Sequence, residues 1–357
     1  MPAKLLIAFG RMGCSSSFMS WASMANCGDY SKNGMVTSCR VRIGNTLSEP
    51  FQILQGVFQG GKWSMRLFQV YYHDLITSIT ESRLGSNIYS IRVPCPTYAD
   101  DLAIISPYAK TQQKLLNQVY KFANTWRITF NASKSATMTF KNGKPMEPSK
   151  IPTTYLGDVA IPSCNFYEHL GVGIGTEEDI TAKMLAKGKS SFYSLLGIGS
   201  KSGGLSPLIA SKLYWYCVMP AMLYGAEVLS LSEGGLDLLE QQHRKFGKRL
   251  QFLPTNTCNP ASYCLLGWQS VRAYTDLKTL TFLHSIMSLK TLNTFKRTLT
   301  HRLVDMGSGE NAQTGPTATF VKVCRKYRLY EHLVQFIDEG TTQSKSLWKH
   351  ECKKTVS

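Results

Sequence analysis

The chain has 357 residues, enough for two or three compact units, and its 43% hydrophobic and 18% charged residues describe a globular protein rather than a disordered one. A total of 40 Lys and Arg against 23 Asp and Glu leaves a net charge of +17, a surplus that attracts polyanions, nucleic acid foremost. The 10 cysteines include no Cys-x-x-Cys pair, which argues against zinc and, in so large a chain, for reduced thiols inside a cell.

Residues 2–26 read as a helix, because Leu5, Leu6, Phe9 and Met12 recur at helical spacing. The apolar run from Leu5 to Phe9 stops at Arg11 and is too short for a secretory signal. Residues 39–43 alternate as a strand does, Gly44-Asn45 is a turn, and residues 51–57 are extended. Residues 64–80 form a helix with Leu67, Phe68, Tyr71, Tyr72, Leu75 and Ile79 on one side. Two short apolar strands, 88–93 and 102–105, flank Thr97-Tyr98-Ala99-Asp100-Asp101, a predicted hairpin with its carboxylates at or beside the tip. Pro94 and Pro96 weigh against that hairpin, since proline is poorly tolerated within a paired strand.

Residues 111–126 are an amphipathic helix, with Leu115, Leu116, Val119, Phe122, Ala123 and Trp126 sharing a face. Residues 135–141 alternate, and Asn142-Gly143 is a turn signal. Residues 156–175 are glycine-rich and extended. From Glu177 the chain turns helical: Ile180, Met184, Leu185, Phe192, Leu195 and Leu196 form one stripe. Ser206-Pro207 reads as an N-cap with proline at the first helical position, opening a helix to about Leu223. The apolar stretch 213–229 contains Pro220 and Glu227 and reads as a buried helix, not a membrane span. Another helix covers 236–253, basic helices follow beyond Tyr274, and 307–316 reads as a loop.

Two adjacent aspartates on a tight hairpin repel each other, and a divalent cation offsets this well. Mg²⁺ prefers carboxylate oxygens together with substrate phosphates, and two such ions can stabilise the attacking and leaving oxygens of a phosphoryl transfer. Taken alone, Asp100-Asp101 is more simply a polar turn. No His-Glu-x-x-His pair, phosphate loop or Gly-x-Ser-x-Gly elbow competes with it. The stretch 322–330 mixes cations with aromatics and suits either phosphate and base contact or a solvated helix face.

Order around the hairpin shifts the balance. Tyr98-Ala99-Asp100-Asp101 resembles the signature of reverse transcriptases. Upstream, Gln55-Gly56-Val57-Phe58-Gln59-Gly60-Gly61-Lys62-Trp63-Ser64 resembles their Gly-Val-Arg-Gln-Gly-Cys-Pro-x-Ser block, followed by a long helix. Downstream, Asn131-Ala132-Ser133-Lys134-Ser135 resembles Asn-x-x-Lys-Thr, and His169-Leu170-Gly171-Val172 resembles the Tyr-Leu-Gly element before the thumb. Leu223-Tyr224-Gly225-Ala226-Glu227 and Leu265-Leu266-Gly267-Trp268 resemble two later elements. The ordered set, over residues 4–271, is similar to reverse transcriptases of non-LTR (LINE-like) retrotransposons.

That resemblance implies an α+β fold: a polymerase palm remnant of antiparallel strands with packed helices over 1–175, an all-α thumb-like region over 176–272, and a basic helical region over 273–357. It implies RNA-directed DNA synthesis with Mg²⁺, an RNA template, a DNA primer and deoxynucleoside triphosphates; it indicates neither a membrane nor a protein partner. Asp100 and Asp101 would hold metal, and Lys134 would lie near the triphosphate. Gly56, Gln59, Gly60 and Tyr98 would face template and nucleotide, and Leu170 and Gly171 would support the primer end. Phe58 and Gly61-Lys62 depart from the family's Arg and Cys-Pro. The family's first metal-binding Asp lies on a strand before a helix, and residues 4–13 resemble that helix, so the Asp and the fingers are expected before Met1 and the polymerase is expected to be impaired. Asp29 is a weak substitute. The competing expectation is a non-catalytic nucleic-acid-binding remnant. The location is intracellular, with nucleus and cytoplasm both open.

Overall fold

A computed structural model describes residues 4–12, 38–52, 63–197, 204–307 and 315–356. The fold is α+β. The chain divides into two compact units, residues 1–167 and 168–357.

The first unit is built on one antiparallel sheet. Strand β1 (Lys4–Met12) is followed by four two-residue strands, β2 (Ser38–Cys39), β3 (Arg42–Ile43), β4 (Thr46–Leu47) and β5 (Phe51–Gln52). These pair as β2 with β5 and β3 with β4, the latter around Gly44 at φ 61°. Helix α1 (Ser64–Glu81) leads to a small hairpin of β6 (Asn87–Ile88) and β7 (Ile91–Arg92). Then come β8 (Thr97–Tyr98), β9 (Asp101–Ser106), α2 (Ala109–Trp126), β10 (Phe130–Lys141) and β11 (Lys144–Pro145). The sheet order is β11-β10-β1-β9-β8. With α1 and α2 as the connections, this is the split βαβ arrangement, in which the first strand lies inside the sheet.

One expectation is overturned here. Residues 4–12 are a strand, not a helix. β1 is hydrogen-bonded to β9 on one side and β10 on the other. Five consecutive apolar residues from Leu5 to Phe9 suit a strand with neighbours on both sides as well as they suit a helix, and periodicity cannot separate the two. The placement of an acid-bearing strand ahead of Met1 rested on that helix.

The core of this unit lies between sheet and helices. Tyr72, Leu75 and Ile79 of α1 meet Leu115, Leu116, Val119 and Ala123 of α2, over Leu102 and Ile104 of β9. The segment read as a single strand over 88–93 is split into the β6–β7 hairpin, with Tyr89 at φ 53° in its turn. The two prolines are accommodated because their carbonyls still work: Ile105 N–H donates to Pro94 O at 2.8 Å and Ala103 N–H to Pro96 O at 2.9 Å. The donor that Pro94 lacks is supplied by Ser86, whose N–H reaches Ile105 O at 2.9 Å. Gly85 makes that approach possible, since a Cβ there would lie 2.1 Å from Pro94 Cβ. Between the prolines, the Thr97 hydroxyl donates to Cys95 O at 3.1 Å. The β10–β11 hairpin turns on Asn142 and Gly143, both at positive φ, as the Asn-Gly signal predicts. A short pair, β12 (Thr154–Leu156) and β13 (Val159–Ile161), follows, and Thr137 and Thr154 share a buried hydroxyl contact of 2.7 Å.

The hairpin of β14 (Tyr167–His169) and β15 (Val172–Ile174) spans the boundary, and the second unit beyond it is helical. Its described helices are α3 (Glu177–Gly197), α4 (Pro207–Leu213), α5 (Met219–Met222), α6 (Glu233–Leu250), α7 (Asn259–Cys264), α8 (Val271–Met287), α9 (Thr294–Gly307), α10 (Pro316–Lys326), α11 (Tyr330–Glu339) and α12 (Lys345–Val356). Ser206 caps α4 through Ile209 N–H, and Pro207 follows it. A π-helical turn at Tyr214–Val218 joins α4 to α5, so one rod runs through residues 207–222. It is buried along one side (Ala210, Tyr214, Val218, Met219, Met222) and exposed along the other (Leu208, Ile209, Tyr216), where the apolar stretch predicts a fully buried helix. Two cores form. Phe192, Tyr214, Met222, Phe246 and Trp268 centre one, and Leu283, Leu303, Phe320, Phe336 and Trp348 the other, with α8 contributing to both. No helix among the described residues is long and apolar enough to cross a membrane.

Candidate active site

The hairpin joining β8 to β9 has Tyr98 opposite Asp101 as its last pair, which leaves Ala99 and Asp100 as the turn. Ala99 sits at φ 50°. A side chain in that region costs of order 1–2 kcal/mol, and such strain persists only where surrounding structure enforces it. Here the ladder from β9 to β1 enforces it. Asp101 is buried at 8% exposure, Asp100 is half-buried, and Tyr98 is exposed. The phenol of Tyr72 on α1 is pushed up by its own burial first and by the negative charge of Asp100 second, which puts that carboxylate within electrostatic reach of α1.

Three strands meet beside this turn. Arg11 of β1 is the Cα partner of Asp101 on one side and of Asn131 on the other. The register of β10 shifts at this point: Arg11 opposes Asn131 while Phe9 opposes Ala136. Residues 132–135 therefore form a bulge. Asn131 closes it, its Oδ1 accepting from Lys134 N–H at 3.2 Å and its carbonyl from Ser135 Oγ at 2.8 Å. Lys134 is exposed on the bulge, and the carbonyl of Lys134 accepts from Tyr167 Oη at 3.2 Å. Asp100, Asp101, Tyr98 and the Asn131–Ser135 block thus gather at one end of the sheet.

Other expected residues fall elsewhere. Gly56, Gln59 and Gly60 lie outside the described residues, as does Asp29. Leu170 and Gly171 form the β14–β15 turn at φ 51° and 80°, in the second unit. There the Gly171 carbonyl accepts from Lys187 Nζ at 2.7 Å, and Lys187 and Lys183 both pair with Glu168, whose carboxyl is held down by them. A Cβ on Gly171 would lie 3.1 Å from Tyr224, and one on Gly225 would lie 2.7 Å from Val172. Two blocks far apart in the chain, 169–172 and 223–227, are therefore packed on each other. The third block ends in Trp268, which stacks on Tyr214 at 4.3 Å and donates to Ser211 Oγ at 2.6 Å. In the basic stretch, Lys322 pairs with Glu233 and Lys326 with Asp276, and Arg325 lies over Tyr330 at 4.9 Å. Two of its cations are thus engaged in tying α10 to α6 and α8.

Among the described residues, no group of three or more His, Cys, Asp or Glu side chains is placed to hold a metal ion. The hairpin supplies two adjacent carboxylates, and the nine residues of β1 beside them contain neither Asp nor Glu. A two-ion centre needs acids from more than one strand. The residues described here do not fit that group.

Residues 8–162 match the family model for reverse transcriptase (RNA-dependent DNA polymerase). The matched span runs from the middle of β1 to the end of β13 and so includes the hairpin, the bulge, α1 and α2. No curated protein matches the chain.

Proposed function

We propose, from the reverse transcriptase match over residues 8–162, that this chain is the palm and thumb-like part of a non-LTR retrotransposon polymerase whose catalytic step is impaired. The observation that carries the reading is the Asp100-Asp101 pair in the hairpin turn at the end of a split βαβ sheet. In this reading the units of function are the palm over 1–175, a thumb-like region over 176–272 and a basic region over 273–357. Asp100 and Asp101 are its carboxylate pair, and Lys134 is a cation near the triphosphate. Tyr98, Gly56, Gln59 and Gly60 face template and nucleotide, and Leu170 and Gly171 support the primer end. The partners are an RNA template, a DNA primer and deoxynucleoside triphosphates, and the metal is Mg²⁺ in the parent activity.

The absence of an acid from β1 favours a second reading, a nucleic-acid-binding protein derived from that polymerase. Positional and electrostatic contributions to such a step are each worth several kcal/mol, and about 1.4 kcal/mol is tenfold in rate. An incomplete carboxylate set therefore costs several powers of ten. The test is primer extension on an RNA template with Mg²⁺ or Mn²⁺, comparing the chain with its Asp100→Ala form. Equal, near-background extension is expected. Robust extension that D100A abolishes would sink the impairment and leave the polymerase reading intact.

A further inference from the structure

We propose that a cavity in the basic C-terminal region binds a phosphate group, held by Lys296, Lys345 and the first turn of α12. These residues lie beyond the matched span of 8–162, so the proposal stands apart from the polymerase reading. The cavity measures about 580 Å³ and is walled by the end of α8, by α9 and by residues 340–345. Its lining holds two lysines, one histidine and five Ser or Thr hydroxyls, and no Asp or Glu. The buried cation is the feature that calls for a ligand. Lys296 is only 9% exposed. Its ammonium donates to Gly340 O at 3.0 Å and lies 5.2 Å from the centre of the Phe336 ring. Among the described residues no carboxylate pairs with it. An ammonium has three donors, and one neutral carbonyl with a ring face leaves its charge uncompensated. A buried charge is costly unless it is paired. An anion in the cavity supplies the missing partner.

The surroundings of Lys296 favour the same occupant. α12 is 12 residues long and begins on the cavity wall, at Lys345. The N–H groups of its first turn have no partner within the helix, and its dipole favours negative charge there. Ser344 Oγ accepts from Leu347 N–H at 3.4 Å, a long bond that uses neither of the N–H groups before it. Groups that would repel an anion are covered. At the end of α8 the His284 carbonyl accepts both the N–H and the hydroxyl of Ser288, at 2.9 and 2.8 Å. Glu339 lies outside the lining, and its carboxylate accepts from Gln335 Nε2 and Thr341 Oγ1. Two cations with donors on several sides suit a phosphate monoester, which carries about two negative charges and three acceptor oxygens. Inorganic phosphate and the 5′ end of a phosphorylated strand both present that chemistry.

The experiment titrates the full chain with inorganic phosphate at constant ionic strength, read by calorimetry and by acetylation footprinting of its lysines. The wild-type chain should bind saturably. Phosphate should protect Lys345 from acetic anhydride and leave Lys349, exposed on the next turn of α12, unprotected. K345A should weaken binding roughly tenfold, and K349A should leave it unchanged. K296M should abolish saturable binding. If K296M does not fold, as circular dichroism reports, the K345A and K349A titrations decide. No saturable binding by the wild-type chain would overturn the proposal. So would an unchanged affinity in K345A, or equal losses in K345A and K349A, which would mark diffuse attraction to a basic surface. A second arm separates the sources by comparing one short DNA strand with a 5′-phosphate and with a 5′-hydroxyl. A preference for the phosphorylated strand that K345A removes assigns the group to a strand end. Equal binding of the two strands, with inorganic phosphate still bound, assigns it to a free phosphate compound.

Discussion

The phenol oxygen of Tyr214 and Nδ1 of His243 lie 2.6 Å apart in the interior of the second unit, with both side chains fully buried. The other ring nitrogen of His243 is 3.1 Å from the carbonyl of Gln269, and the ring stacks on Trp268. Burial, the largest influence, pushes the imidazole down to about 4; the Gln269 carbonyl opposes this and the Arg244 charge adds to it. Unfolded, the same ring takes up a proton near pH 6.5. Between those values the unfolded chain binds the extra proton. Stability is therefore complete above about pH 6.5 and falls as pH drops toward 4, by about 3 kcal/mol. Urea midpoints measured from pH 7.5 to 4.5 should show this slope, and His243→Phe should flatten it. A wild-type midpoint constant over that range would refute the assignment. The carboxyl of Glu233, held down to about 2 by Lys322 and Arg272, acts in a separate window below the ordinary carboxylate range.

Gly225 carries a second prediction. Its φ is 81°, and an added Cβ would stand 2.7 Å from Val172 Cγ2. Gly225→Ala should lower stability by roughly 1–3 kcal/mol through strain and overpacking together. Val172→Ala in the same background removes the overlap and leaves the strain, so part of the loss should return. Thermal unfolding of the two variants and their combination reads this directly. A G225A chain as stable as wild type would contradict the packing of these two blocks.

The surplus of cations gives a third. Affinity for nucleic acid should fall steeply with salt, with a log–log slope of about −0.9 per phosphate neutralised on duplex DNA. Sequence preference should be slight, since no base-reading motif is present. Fluorescence anisotropy between low and high salt checks it. A flat response, or no binding at low salt, would count against the nucleic-acid reading.

The legible parts of the fold were those written in local chemistry. α1 and α2 follow from apolar spacing, the β10–β11 turn from Asn142-Gly143, and the start of α4 from Ser206-Pro207. The turn at Asp100 was legible for the same reason, because two adjacent acids between short apolar runs leave few alternatives. What lies beside that turn was not. Arg11 and Asp101 are brought together by long-range pairing, and β1 reads equally as a helix until its two neighbours are known. Pro94 and Pro96 misled in the other direction. Their missing donors look disqualifying in sequence, yet their carbonyls still accept from β9, and Ser86 supplies a donor from outside the strand.

The hydroxyl of Thr97 on the Cys95 carbonyl has a consequence for how copies of this chain meet. Among the described residues β8 is an outer strand of its sheet, and an outer strand is where a second molecule would attach by extending the ladder. The carbonyls of Pro94 and Pro96 point inward to β9, so by alternation that of Cys95 faces out, and it is already occupied. With only two regular residues and no free acceptor at Cys95, this border offers a newcomer little to hold. Thr97→Val keeps the shape and frees the carbonyl. That variant should self-associate at concentrations where the parent stays monodisperse, as read by sedimentation velocity; identical sedimentation of the two would show that the border is guarded by something else.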